Sequence, residues 1–288
     1  MTTQATVTDK FVKINGLRIH YLDWGNPTAH PMIMLHGLRS YAHVWDDVAK
    51  EFCDKYHILS LDQRGRGDSD WAVDGKYDTD DYVSDFEQFV DQLGLNRFIL
   101  IGHSMGGTNS IVYASRHPEK VTALIIVDNG PRPSTPRAAD GRIRQELETT
   151  PRFFASLDEA AAMWRAQRPT LTEEAAKMRA QNTVKELPDG KWTWKWDFEG
   201  ISKASLNADP SKRIDLWPYV RNIKCPTLVV RGEKSDAFSI ETAEEMKRAN
   251  GNIRWVEIPN ATHTVYEDNL DDFNSEVGVF LREVDTML

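Results

Sequence analysis

The chain has 288 residues, of which 40% are hydrophobic and 27% charged, with 17 Gly and 13 Pro. This composition excludes disorder, collagen and coiled coil, and the length suits either two domains or one α/β domain with a large insertion. A net charge of −9 repels polyanions, so neither a nucleic acid nor an anionic membrane surface is an expected partner.

Asn15-Gly16, between the apolar runs 11–14 and 17–22, supplies the positive φ values of a tight hairpin, so the sheet is expected to begin with two antiparallel strands. The segments 31–35, 57–61, 98–101 and 121–127 are apolar throughout, as strands buried on both faces are. Helices fill 43–52, 80–93 and 105–116, the last stopped by Pro118. From 131 to 214 the rhythm changes to helical stretches, 157–167 and 172–181, with no buried strand expected between them. Strand and helix alternation returns with 227–231, 240–249, 253–258 and a final helix from about Asp271. The predicted organisation is a core of residues 1–130 and 215–288, with 131–214 inserted as a helical cap. The insertion holds 15 Lys and Arg against 12 Asp and Glu, so its charge is opposite to that of the core and should draw the two together.

Two cysteines, Cys53 and Cys225, support neither a disulfide framework nor a thiolate metal site, and no His-Glu-x-x-His spacing occurs. The first 13 residues are polar, and no apolar run approaches the ~18 residues of a membrane span. A cytoplasmic protein without metal or cofactor is expected. Gly65-Arg66-Gly67 mimics a dinucleotide fingerprint, but Asp70 stands where its third glycine belongs and would repel a pyrophosphate.

Gly102-His103-Ser104-Met105-Gly106 lies between a predicted strand and a predicted helix. A serine on so sharp a turn is strained and lifted above the sheet, and its neighbours must lack bulk. Its hydroxyl needs a base, and the base needs an acid to orient it. Two histidines lie downstream. His117 ends the helix that starts at the serine, roughly 20 Å away at 1.5 Å per residue, so His263 is the base by elimination. Asp236 is the expected acid, in the loop after the penultimate strand, and Asp128 at the tip of 121–127 is the alternative. The Met105 amide and, from the loop His36-Gly37-Leu38, the Leu38 amide are expected to hold an oxyanion.

With His36-Gly37, the run Asp62-Gln63-Arg64-Gly65-Arg66-Gly67-Asp68-Ser69-Asp70, the turn around Ser104, the stretch 226–236 and His263, the sequence resembles the α/β-hydrolases, in particular their capped esterase and lactonase group. The resemblance spans nearly the whole chain. It implies a mostly parallel eight-stranded sheet with helices on both faces, an inserted helical cap, and triad chemistry by Ser104, Asp236 and His263. Epoxide hydrolases and haloalkane dehalogenases of this family carry aspartate where this chain has Ser104, which argues against both reactions.

The expected substrate is a small or medium carboxylic ester or lactone. Trp192, Trp194 and Trp196 would share one face of an extended segment, either roofing a pocket or gluing cap to core. Arg39, Trp164, Trp194, Phe238 and Val265 are the candidate substrate-binding residues. Two alternatives use the same constellation: cleavage of a carbon–carbon bond in a vinylogous diketone, with Arg39 receiving a carboxylate, and a ligand receptor that retains its triad.

Overall fold

Asn15 and Gly16 adopt φ values of 50° and 83°, and this left-handed pair closes the hairpin of β1 (Thr8–Ile14) and β2 (Leu17–Asp23), with Ile14 opposite Leu17. The computed structural model describes residues 7–131, 138–168, 171–206 and 214–287, so the first six residues of the polar N-terminal stretch and parts of the predicted insertion lie outside it. The chain continues through β3 (His30–Leu35), a short 3-10 turn, α1 (Asp46–Phe52), β4 (Tyr56–Leu61), α2 (Thr79–Gln92), β5 (Phe98–His103), α3 (Met105–Arg116) and β6 (Val121–Val127). After an intervening lobe come α8 (Trp217–Asn222), β10 (Thr227–Gly232), α9 (Ile240–Ala249), β11 (Ile253–Ile258), α10 (Val265–Asp268) and α11 (Leu270–Asp285).

Eight strands form one sheet in the order β1-β2-β4-β3-β5-β6-β10-β11. The pairings β1·β2 and β2·β4 are antiparallel and all the others parallel. β5 and β6 are buried at every position, because apolar clusters cover both faces. On one face α2 and α3 place Phe86, Phe89, Val112 and Tyr113 against Leu100 and Leu124. On the other, α1 and α11 place Val48, Phe52, Phe273 and Val277 beneath Ile101 and Ile125. Each such aliphatic side chain contributes roughly 1.5–3 kcal/mol on burial, which is what holds the strand ends in fixed register. The parallel strands therefore deliver the loops after β3, β5, β6, β10 and β11 to one edge, where a doubly wound sheet forms its ligand crevice.

The lobe between β6 and α8 contains α4 (Ala138–Thr149), β7 (Phe153–Phe154), α5 (Leu157–Gln167), α6 (Glu173–Thr183), β8 (Val184–Glu186), β9 (Trp192–Trp194) and α7 (Phe198–Leu206). It has its own apolar cluster around Trp164, Trp194, Trp196 and Ile201. No strand of the described residues lies between α5 and α6, but outside that pair β7, β9 and β8 form a small antiparallel sheet that the sequence reading did not single out. Strands of two or three residues are too short for alternating hydrophobicity to register. Among the described residues no helix is long and apolar enough to cross a membrane.

Candidate active site

Ser104 follows β5 and caps α3 with φ 52° and ψ −116°, a left-handed conformation that costs a non-glycine residue about 1–3 kcal/mol. The strain is retained because the surroundings leave the turn no room to relax. The Ser104 amide bonds the Val127 carbonyl at 3.1 Å, and Gly106 packs so close to the Leu35 carbonyl that a Cβ there would collide with it. The hydroxyl is thereby presented to His263, whose Nε2 lies 3.0 Å from Ser104 Oγ.

The other ring nitrogen of His263 lies 2.7 Å from Asp128 Oδ2. An ionised carboxylate can only accept, so Nδ1 carries the proton and Nε2 is left as acceptor for the Ser104 hydroxyl. This corrects the expectation for the acid, for it is Asp128, at the tip of β6, that meets the imidazole. Asp128 is completely buried, with a φ of 48°, and also accepts from the Gly232 amide at 3.0 Å and the Ser235 hydroxyl at 2.5 Å. Asp236 instead accepts a two-pronged bond from Arg142 on α4, at 2.7 and 2.9 Å. Arg142 is the main reason that its carboxyl is held below the usual range. Both aspartates follow adjacent parallel strands, and only partners distant in sequence separate their roles.

Beneath His263 lies a second imidazole. His103 Nε2 donates to the His263 carbonyl at 2.9 Å, and its Nδ1 accepts from Tyr266 at 3.3 Å. Burial, reinforced by the nearby His263, keeps the His103 pKa well below the ordinary value, so this ring supports the base loop as a neutral prop.

The loop after β3 is pinned one carbonyl at a time. Gln63 Nε2 donates to His36 O at 2.7 Å, His36 Nδ1 to Gly37 O at 2.8 Å, and Arg66 Nε to Leu38 O at 2.7 Å. His36 accepts at its other nitrogen from the Gln63 amide, and burial pushes its pKa down to about 4, which fixes the neutral tautomer. A methyl group on Gly37 would sit 3.3 Å from Ser104 Cβ, so this loop runs directly beside the serine. Each carbonyl from His36 to Leu38 therefore has a side-chain donor that fixes the course of the loop. The Met105 amide, first in α3, has no acceptor within the helix. His36, Gln63 and Arg66 were not singled out for this task from the sequence. Their signal is the run 62–67 itself, which places side-chain donors in the loop after β4, the strand beside β3.

The five candidate substrate-binding residues separate. Trp194 is 1% exposed, donates to the Pro151 carbonyl and stacks edge-on with Phe154 and Trp164, so it belongs to the interior of the lobe. Val265 is fully buried beneath the sheet, and Phe238 packs on Gly130 and Met246. Trp164 is also buried, its indole donating to Thr183 and its ring lying between the guanidiniums of Arg39 and Arg179. Arg39 donates to Glu146 at 2.8 Å, Thr150 at 3.0 Å and Gln167 at 3.2 Å, joining the loop beside Ser104 to α4 and α5. Only Arg39 and Trp164 thus remain at the junction of lobe and crevice.

Among the described residues, His20, Asp62 and Asp68 are the one group close enough to share a metal ion. Asp62 is engaged there by His20 Nδ1 and by the amides of Ala42 and Asp68, a knot that fastens the 62–69 loop to β2.

A family model described as the alpha/beta hydrolase fold matches residues 30–270. The chain is 30% identical, over 85% of its length and 87% of the relative's, to a 3-hydroxybutyrate-oligomer hydrolase of Cupriavidus necator. It is 26% identical to Epoxide hydrolase 1 of Caenorhabditis elegans, over 95% of this chain and 70% of the relative. The crystal structure of E-2-(acetamidomethylene)succinate hydrolase superposes with a TM-score of 0.86 at 23% identity, covering 96% of this chain and all of the other.

Proposed function

Since the chain belongs to the α/β-hydrolase fold family, we propose that it is a serine hydrolase that cleaves a small or medium carboxylic ester or lactone through an acyl-enzyme on Ser104. The observation that carries this reading is the unbroken line from Ser104 Oγ to His263 Nε2 at 3.0 Å and from His263 Nδ1 to Asp128 at 2.7 Å. His263 takes the proton as Oγ attacks the carbonyl carbon, and the Leu38 and Met105 amides receive the charge that develops on the oxygen. The imidazolium, steadied by Asp128, then protonates the leaving alcohol. A water molecule repeats the sequence on the acyl-enzyme, losing its proton to His263 and releasing the acid and Ser104. The lobe between β6 and α8 serves as the cap, and Arg39 and Arg142 tie it down beside the crevice.

An ester-cleaving role agrees with the relative that acts on 3-hydroxybutyrate oligomers. Opening an epoxide in the manner expected of the family's epoxide hydrolases needs a carboxylate nucleophile, whereas this chain offers a hydroxyl at 104. The test pairs a fluorophosphonate probe with nitrophenyl esters of graded acyl length. The probe is expected to label Ser104, and Ser104→Ala is expected to lose about 10⁴–10⁶ in turnover. Near-parental turnover in that variant would overturn the proposal. Faster turnover of a vinylogous diketone than of any ester would move the scissile bond from carbon–oxygen to carbon–carbon.

A further inference from the structure

Four guanidiniums gather where the lobe meets the catalytic edge: Arg39 after the Gly37-Leu38 loop, Arg142 on α4, Arg168 at the end of α5 and Arg179 in α6. Among the described residues they meet only three carboxylates, Glu146, Asp236 and Glu267. The compensation is uneven. Arg142 is engaged by both Asp236 and Glu146. Arg179 is buried against Glu267 at 2.5 Å and lies over the Trp164 ring, and its pKa is raised. Arg39 shares Glu146 with Arg142, and its Nε, like that of Arg179, is buried without a partner among the described residues. Arg168 places one nitrogen on Glu267, the rest of its guanidinium has no partner among the described residues, and 29% of its side chain stays accessible.

Burial pulls Arg39 down to about 10 and, with repulsion from Arg179, also lowers Arg168. Arg168 is the more accessible of these two cations, with 29% of its side chain exposed against 10% for Arg39. Arg39 stands two residues beyond Gly37, and Glu267, the partner of Arg168, four residues beyond His263. Arg168 acts electrostatically on Arg39, and on His103 directly before the serine. Through Glu267 it is tied to the short helix that follows His263, while Arg39 follows the Gly37 loop beside Ser104.

Building on the serine-hydrolase reading, we propose that Arg168, backed by Arg39, receives a carboxylate of the substrate, so that the preferred ester is an anionic one bearing a free carboxylate besides the scissile carbonyl. A carboxylate seated there supplies the missing negative charge and bonds the unpartnered guanidinium nitrogens. Neither a neutral ester nor water does both.

The experiment compares kcat/KM, followed by acid release at constant pH, for two matched pairs. One pair is monoethyl glutarate and ethyl pentanoate, with the charge on the acyl side. The other is 4-acetoxybutanoate and butyl acetate, with the charge on the alcohol side. At least one anionic ester is expected to exceed its neutral partner by roughly tenfold to a hundredfold, the worth of a charge-assisted hydrogen bond. Arg168→Gln is expected to erase that excess mainly through KM, and Arg168→Lys to keep part of it. Arg144→Gln, which removes an exposed cation elsewhere on α4, is expected to leave the ratio unchanged. Equal rates within both pairs for the parent protein would overturn the proposal even if the Arg168 variants fail to fold. So would an Arg168→Gln variant that loses both members of a pair in proportion, or an Arg144→Gln variant that erases the ratio equally. Ser104→Ala separates the two claims: if it remains active the serine mechanism fails, whereas loss of all turnover together with a ratio of one in the parent protein removes only the carboxylate site.

Discussion

Among the described residues, His263–Asp128 and His20–Asp62 are histidine–aspartate pairs of nearly identical local geometry. His263 Nδ1 meets Asp128 at 2.7 Å and His20 Nδ1 meets Asp62 at 2.7 Å, and in both the carboxylate is all but inaccessible. The difference lies at the far nitrogen. His263 Nε2 faces the Ser104 hydroxyl, a group that can donate a proton, and 18% of the His263 side chain remains accessible. His20 Nε2 faces the Asp9 carboxylate at 3.0 Å, and the ring is 1% exposed. Burial alone would lower the His20 pKa, but Asp62 and Asp9 together raise it. Both ring nitrogens of His20 thus face carboxylates, which favours its protonated form and leaves no hydroxyl of the described residues within reach of either. A carboxylate prepares an imidazole, and the third partner decides whether the ring becomes a base or a structural ion.

The contrast breaks most visibly at Asp128. Asp128→Asn is expected to cost about 10⁴ in kcat on a nitrophenyl ester, because the amide lets the imidazole adopt the wrong tautomer. A loss under about tenfold would show that the pair does not serve the reaction. Asp236→Asn, whose side-chain hydrogen-bond partner among the described residues is Arg142, is expected to stay within about tenfold in kcat and to cost on the order of 1 kcal/mol in denaturant unfolding, as a partly exposed ion pair does. The smallest kinetic effect belongs to His20→Gln, with kcat expected within about twofold of the parent. Its signature is in stability. Because the folded pKa of His20 lies above the unfolded value of 6.5, its contribution is complete below that value and is lost as pH rises through the folded pKa. The variant should therefore be destabilised more at about pH 6 than at about pH 9, measured by urea unfolding. The opposite trend would mean that His20 is neutral in the folded protein.

The strands, the Asn15-Gly16 turn and the elbow at Ser104 were legible in the sequence because short-range chemistry determines them: continuous apolar runs, positive-φ residues, and glycines where backbones touch. The choice between Asp128 and Asp236 was not. β6 and β10 are neighbours in register, Val127 beside Val230, so both strands deliver an aspartate to the same edge. The decision falls to the Ser235 hydroxyl and Gly232 amide that converge on Asp128, and to Arg142, which engages Asp236 from 94 residues away. A rule based on loop order cannot see such partners. Trp194 misled for a related reason. Its alternation with Trp192 and Trp196 marks a shared face, but whether that face looks into a crevice or into the lobe's own interior depends on Phe154 and Trp164, which approach from β7 and α5. Arg168 and Glu267 carried no local signal, since charges at a helix terminus and in a one-turn helix read as solvated surface.

The orientation of His263 by Asp128 can be observed without any substrate, through the proton NMR signal of the imidazole Nδ1–H. In the parent protein this proton is expected far downfield of the amide region, as a proton held between imidazole and a buried carboxylate is. The signal should persist in Asp236→Asn and vanish or move sharply upfield in Asp128→Asn. A signal that survives in Asp128→Asn and disappears in Asp236→Asn would contradict the account at its centre.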